Sequence, residues 1–395
     1  MKIYASDKRL QAIEGGVCAP LGFSASATYA CLTNDSPQIR ETENIALILS
    51  KCYCRAACVF LGGKAQNVCT TLNQKHLKME YARGIFLNGE IAFSQKSDVK
   101  TIERVCFEVG KGLQVPDEEV LVVSCGKYGR RLSAQSLVDG VKKMLKTAGT
   151  THEHAENAAR AISKSGVAQT CAYEFDLGNY PYKIGALFAG ETATTCVLTT
   201  DVHISTAMLD KALHTAVKDT LALLQHEGES TPNSMVCILA SGAVGNYCIA
   251  QEDIEYDKFL GALERVLDQV TKRLASACGE KRVMTCVVKN TQSKRVSRAM
   301  AKGLSHAILL KERLQKSDFP LEEILGALCG ADEHFQLGKM SITITSQSGE
   351  FLLYEDGRAT AYEKYVAQQI LGDGDITITV DCKKGNYASV AYGGF

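Results

Sequence analysis

The stretch Thr192-Ala-Thr-Thr-Cys-Val-Leu-Thr-Thr-Asp-Val-His-Ile-Ser-Thr-Ala-Met-Leu-Asp-Lys-Ala-Leu-His-Thr-Ala-Val217 changes its periodicity once, near Ser205. Up to Thr200 it is rich in β-branched residues and suits an extended chain; a Thr-rich run of this kind is far more often a strand than a source of nucleophiles. Ser205 can cap a helix through its hydroxyl. Beyond it, Met208, Leu209, Ala212, Leu213, Ala216 and Val217 recur at helical spacing. A strand feeding directly into an amphipathic helix predicts packed layers of mixed α and β structure.

The flanking sequence repeats this alternation. Ile45–Ser50, Val120–Ser124, Met235–Ala240, Ser341–Thr345 and Ile376–Val380 are short apolar or β-branched runs beside turn residues, and read as strands. A second long helix runs from about Asp253, with Tyr256, Phe259, Leu260, Leu263, Val266, Leu267, Val270 and Leu274 on one side, to a stop near Gly279. Shorter helical stretches fall near Thr101–Gly112 and His152–Ser163. No repeat, low-complexity tract or Pro-rich linker interrupts the 395 residues, a length that suits two domains or one fold of two halves.

The 44 Lys+Arg balance the 44 Asp+Glu, which argues against a dedicated nucleic-acid or anionic-membrane partner. No run approaches the roughly 20 apolar residues of a membrane-spanning helix. The opening Met1-Lys2-Ile3-Tyr4 lacks the apolar core of a secretion signal, so a cytoplasmic protein is expected. The 16 cysteines are scattered and mostly sit in apolar segments, as reduced thiols acting as small hydrophobes do. Cys52, Cys54 and Cys58 have no second pair of ligands at metal-binding spacing, and a strand would put Cys52 and Cys54 on one face by alternation alone. No metal and no cofactor is expected.

Five landmarks then appear in order. They are Gly15-Gly16-Val17-Cys18-Ala19-Pro20-Leu21-Gly22-Phe23, Asp117–Gly126 (Asp-Glu-Glu-Val-Leu-Val-Val-Ser-Cys-Gly), Leu198-Thr199-Thr200-Asp201, Glu227-Gly228-Glu229-Ser230-Thr231-Pro232-Asn233-Ser234, and Ala240–Asn246 (Ala-Ser-Gly-Ala-Val-Gly-Asn). Together they resemble the ornithine acetyltransferase/N-acetylglutamate synthase family over nearly the whole chain. The resemblance implies an α/β fold of ornithine acetyltransferase type, made of two mixed α/β halves, here 1–193 and 194–395. It also implies a homo-oligomer with an amino-acid-like small-molecule ligand. The family cuts itself at an Ala-Thr bond, and the freed threonine carries acetyl from N-acetylornithine to glutamate with its own α-amine as base. Oxyanion donors come from a Ser-Thr-Gly motif.

The departures fall on that chemistry. The oxyanion motif reads Ser124-Cys125-Gly126, leaving the Gly126 N–H and a thiol, which is a poor donor. The family's Asn-Ser-Gly-Asn-Ala-Asn keeps only Asn88, its Thr-Thr-Asp-Thr-x-Pro-Lys becomes Lys164–Thr170 without the substrate lysine, and its C-terminal Asn-Ala-Asp-Tyr-x-Thr is replaced by Ala391–Phe395. At the nucleophile, counting back from Thr199 without a gap puts Ala193 on the threonine position. One further deletion keeps an Ala193-Thr194 bond with Thr194 as nucleophile. A one-residue deletion in a strand flips its face unless a bulge absorbs it, so the ungapped register is the cheaper one. Glu227, Glu229 and Asn233 either line a substrate cleft, as the resemblance implies, or make a surface loop, for which Gly228, Pro232 and Asn233 are well suited. Two readings stand: an acyltransferase or amidohydrolase using Thr194, Gly126 and Cys125, or a non-processing paralogue that binds a ligand or partner.

Overall fold

The computed structural model describes residues 10–32, 42–62, 67–93, 96–163, 168–177, 181–190, 193–224, 231–277, 282–331 and 337–395. The chain divides into two compact units, a larger one of residues 7–217 and 230–266 and a smaller one of residues 1–6, 218–229 and 267–395. The expected halves 1–193 and 194–395 are drawn at the candidate Ala193–Thr194 cleavage bond, a boundary of a different, chemical kind. Among the described residues no helix is long and apolar enough to cross a membrane.

The larger unit holds a nine-stranded mixed sheet. Its strands are β1 (Gln11–Ile13), β2 (Phe23–Thr28), β3 (Ile45–Phe60), β4 (Tyr81–Asn88), β5 (Val120–Ser124), β6 (Gln169–Asp176), β7 (Pro181–Ala189), β8 (Thr195–Thr200) and β9 (Met235–Ala240). They run in the order β1-β6-β7-β8-β9-β3-β4-β5, with β2 also on β3. Helices α1 (Val68–His76), α2 (Lys96–Leu113), α3 (Ala134–Thr147) and α4 (His152–Ile162) accompany it, with α5 (Thr206–Asp219) up to residue 217 and α6 (Ile254–Ala277) up to residue 266, the remainder of both belonging to the smaller unit. The long β3 makes the architecture. Its first half pairs with β2 and its second with β9, and its register against β4 shifts between Leu49 and Cys54.

Alternate residues of β3, β4 and β5 enter two different cores. Ile45, Leu47, Phe86, Val120 and Val122 pack with Val105 and Val109 of α2 and Val141 and Met144 of α3. Ala46, Ile48, Ile85, Leu87, Leu121 and Val123 pack with the alanines of α4, with Leu187 and Ala189 of β7, Val197 of β8 and Cys237 and Leu239 of β9. A strand buried on both faces reads as a continuous apolar run, as Val120–Ser124 does.

The expected helix after Ser205 is α5; the Ser205 hydroxyl accepts the Met208 N–H at 3.4 Å. In α6 the Asp253 carboxylate caps the N–H groups of Glu255 and Tyr256 at 3.0 and 2.9 Å, while the stop expected at Gly279 lies outside the described residues.

The smaller unit carries a six-stranded sheet of β10 (Val283–Thr291), β11 (Ser341–Ser346), β12 (Gly349–Glu355), β13 (Arg358–Ala359), β14 (Ile376–Asp381) and β15 (Tyr387–Gly394), ordered β13-β12-β11-β14-β10-β15. Ile342, Ile344, Ile376, Ile378 and Val380 face one core with α7 (Lys294–His306), α8 (Ile308–Gln315), α9 (Leu321–Cys329) and α10 (Lys364–Gly372). The C-terminal Phe395 is part of that core, with the Arg282 guanidinium 4.7 Å from its ring centre. The basic stretch at Lys294–Lys302 lies in α7, where Arg298 and Lys294 pair with Asp219.

Candidate active site

Ala193 lies two residues ahead of β8, a strand flanked by antiparallel β7 and parallel β9. Its methyl is buried in the apolar cluster that also holds Cys125, Ile162, Leu187, Ala189 and Val197. Thr195 and Thr199 share that side of the strand by alternation. The Thr199 hydroxyl donates to the Val17 carbonyl at 2.9 Å, and the Thr195 hydroxyl is buried with no hydrogen-bond partner among the described residues. Thr194 falls on the other side by the same alternation. Its N–H donates to Ser234 Oγ at 3.0 Å and its carbonyl accepts the Met235 N–H at 2.9 Å.

The segment Ser124-Cys125-Gly126 continues the parallel pairing of β4 and β5. The Cys125 N–H donates to the Asn88 carbonyl at 3.0 Å, and its thiol is directed at the carbonyls of Ile162 and Asn88, at 3.4 and 3.6 Å. Gly126 is a close approach of two chains: a Cβ there would lie 2.2 Å from the Glu90 carbonyl carbon and the Ile91 nitrogen. Asn88 shapes the opposing turn, its Oδ1 accepting the N–H groups of Glu90 and Ile91 at 3.0 and 3.3 Å. Beside it, Glu90 has a side chain only 1% exposed and pairs with Arg130 at 3.2 Å.

Asn233 is buried and its amide oxygen accepts a hydrogen bond from Asn67. Asn67 also caps α1 through the Thr70 N–H at 2.7 Å and donates to the Pro232 carbonyl at 2.9 Å. Asn233 is thereby tied to the start of a helix, and the adjoining Ser234 to the start of β8. Glu227 and Glu229 lie outside the described residues. Ala193, Thr194, Cys125, Gly126 and Asn233 all belong to the larger unit, and of these Ala193 and Cys125 share one cluster.

Asp201 explains why the first and third landmarks occur together. Its buried carboxylate accepts the Leu21 N–H at 3.1 Å and the Lys183 N–H at 2.9 Å. Burial raises its pKa, and the two backbone donors work against that rise.

The ArgJ family model matches residues 32–394. This chain belongs to the ArgJ family. It is 24% identical over 396 residues to the arginine biosynthesis bifunctional protein ArgJ of Caldanaerobacter subterraneus subsp. tengcongensis, covering 97% of this chain and 96% of that one. It is 27% identical over 403 residues to the glutamate N-acetyltransferase of Methanococcus vannielii, covering 96% and 94%. A solved arginine biosynthesis bifunctional protein argJ from Bacillus halodurans superposes with a TM-score of 0.47 at 21% identity, over 51% of this chain and 92% of that one.

Within the ArgJ frame, sequence reasoning passed over Ser234, the buried Thr195 hydroxyl and the Glu90–Arg130 pair. Ser234 ends the landmark that contains Asn233, so its position was visible although its partner was not. Glu90 carried no signal, because its arginine lies 40 residues away.

Proposed function

We propose that this chain is a glutamate N-acetyltransferase-like ArgJ protein that does not process itself and binds an amino-acid-like small molecule without transferring acetyl. One observation carries the reading: in the ungapped register the nucleophile position is Ala193, whose methyl packs in the apolar cluster with Cys125. Acyl transfer by this route needs a hydroxyl to attack the preceding carbonyl and leave an ester, and then an α-amine to activate the same hydroxyl. An alanine supplies neither the hydroxyl nor, uncut, the amine. The Cys125 thiol is engaged with two carbonyl oxygens, so it does not replace a threonine hydroxyl as an oxyanion donor.

A second reading has its own observation. Ser234 Oγ lies 3.0 Å from the Thr194 nitrogen, and after scission of the Ala193–Thr194 bond it would orient the new α-amine. Intact mass of freshly purified protein under denaturing conditions separates the two. A single species of 42.7 kDa, stable on incubation and inactive in acetyl transfer from N-acetylornithine to glutamate, is the expected result. Two fragments meeting at Ala193/Thr194, and their loss in Thr194→Ala, would overturn it. The homo-oligomer implied by the resemblance is part of the proposal and is read by light scattering.

A further inference from the structure

Helices α1 and α2 and the 3₁₀ turn Asp117–Glu119 line a pocket of about 370 Å³, at the small end of ligand-binding cavities. Its lining mixes two cations, Lys75 and Arg104, two carboxylates, Glu103 and Asp117, and the apolar side chains of Leu72 and Phe107. Among the described residues no ion pair joins either cation to either carboxylate, so the four charges do not neutralise one another directly. Arg104, at the exposed rim, has one guanidinium nitrogen on Gln135 Oε1 at 3.2 Å, a neutral partner that leaves its positive charge available to a ligand.

His76 also lines the pocket. It is 3% exposed, and its Nδ1 lies 2.7 Å from the Val120 carbonyl oxygen. A carbonyl only accepts, so Nδ1 carries the proton and Nε2 presents a lone pair. The neighbouring Cys106 is buried, its thiol pushed up to about 12, which makes it a wall and not a reactive group.

A simple anion would meet two carboxylates here, and a simple cation would meet Lys75 and Arg104. Lys75, Glu103 and Arg104 are exposed and Asp117 is half-buried, so a molecule carrying both charges would exchange their water for partners of opposite sign at each end. We propose that this pocket binds a free α-amino acid with an apolar side chain, its carboxylate taken by Lys75 and Arg104, its ammonium by Glu103, Asp117 and His76 Nε2, and its side chain lying between Leu72 and Phe107. Its position is independent of the Ala193–Thr194 region and of whether acyl transfer occurs.

Calorimetric titration of the full chain with L-norleucine tests this, with N-acetyl-L-norleucine and L-norleucine amide as probes that each lack one charge. Saturable one-to-one binding is expected, weakened about tenfold or more in either derivative. The double variants Lys75→Met/Arg104→Met and Glu103→Gln/Asp117→Asn should each weaken binding of L-norleucine to a similar degree, with unchanged thermal unfolding. If a double variant fails to fold, the two derivatives still decide the matter on the wild-type chain. No saturable binding up to about 10 mM overturns the proposal. So does binding that survives both double variants, which would place the ligand elsewhere.

Discussion

Replacing Asn73 by Leu should destabilise the larger unit by several kcal/mol. β5 is the last strand of its sheet, so half of its backbone groups have no neighbouring strand. The Asn73 amide stands in for one: Oδ1 accepts the Val122 N–H at 2.9 Å and Nδ2 donates to the Val122 carbonyl at 2.7 Å. The side chain is fully buried, so water does not take over when it is removed. Leucine has the same branched shape with bulkier ends, and leaves one donor and one acceptor stranded. At about 1–3 kcal/mol for each buried unsatisfied group, the loss is about 2–6 kcal/mol. Asn73→Asp keeps the acceptor but sets a second oxygen against the Val122 carbonyl, and should cost at least as much. Urea denaturation gives the midpoint shift, and hydrogen exchange at the Val122 amide gives the local effect. A loss below about 1 kcal/mol in Asn73→Leu, with Val122 still protected, would refute the account, since Val122 would then have another partner.

Gly126→Ala forces a methyl to within 2.2 Å of the backbone at Glu90 and Ile91, which cannot move aside like a side chain; a loss beyond the usual 1–3 kcal/mol of overpacking, or no soluble protein, is expected from thermal melts and expression yield. In the smaller unit, burial lowers the His306 pKa from 6.5 to about 4, with Lys302 and Lys311 adding to the effect. The fold therefore favours neutral His306: its contribution is whole above pH 6.5 and is lost as pH falls toward about 4, where the unfolded chain has already taken up a proton that the folded chain resists. His306→Gln should flatten the acid limb of a stability–pH profile over that window, and an unchanged limb would count against the buried neutral imidazole.

Much of the fold was legible because burial leaves a local trace. β5 and β9 form over the expected Val120–Ser124 and Met235–Ala240, each a short apolar run between turns. β3 runs ten residues beyond the expected Ser50, to Phe60. Exposed Lys51 and Tyr53 interrupt the apolar run there, and the pairing with β4 shifts register between Leu49 and Cys54. The candidate site was legible only as landmarks. Cys125 could be picked out beside Gly126, but the direction of its thiol depends on Ile162, 37 residues on. The clamp of Asn73 on Val122 spans 49 residues and joins a side chain to a backbone, a pairing that leaves no periodic signal in either segment.

The bonds from β8 to the turn at Gly16–Cys18 set a clock on synthesis. Thr199 and Asp201 hold Val17 and Leu21 across separations of 182 and 180 residues. At about 5–20 residues per second, the first of these segments leaves the ribosome about 10–40 s before its partners exist. During that interval Gly15–Phe23 has none of the bonds from Thr199 and Asp201 that later fasten it. Until then the opening landmark is held by earlier partners alone, with Phe23 paired to Ser50, the Lys51 N–H on the Gly22 carbonyl and the Gly15 N–H on His152, so a nascent chain stalled before β8 would hold this segment by only part of its bonds.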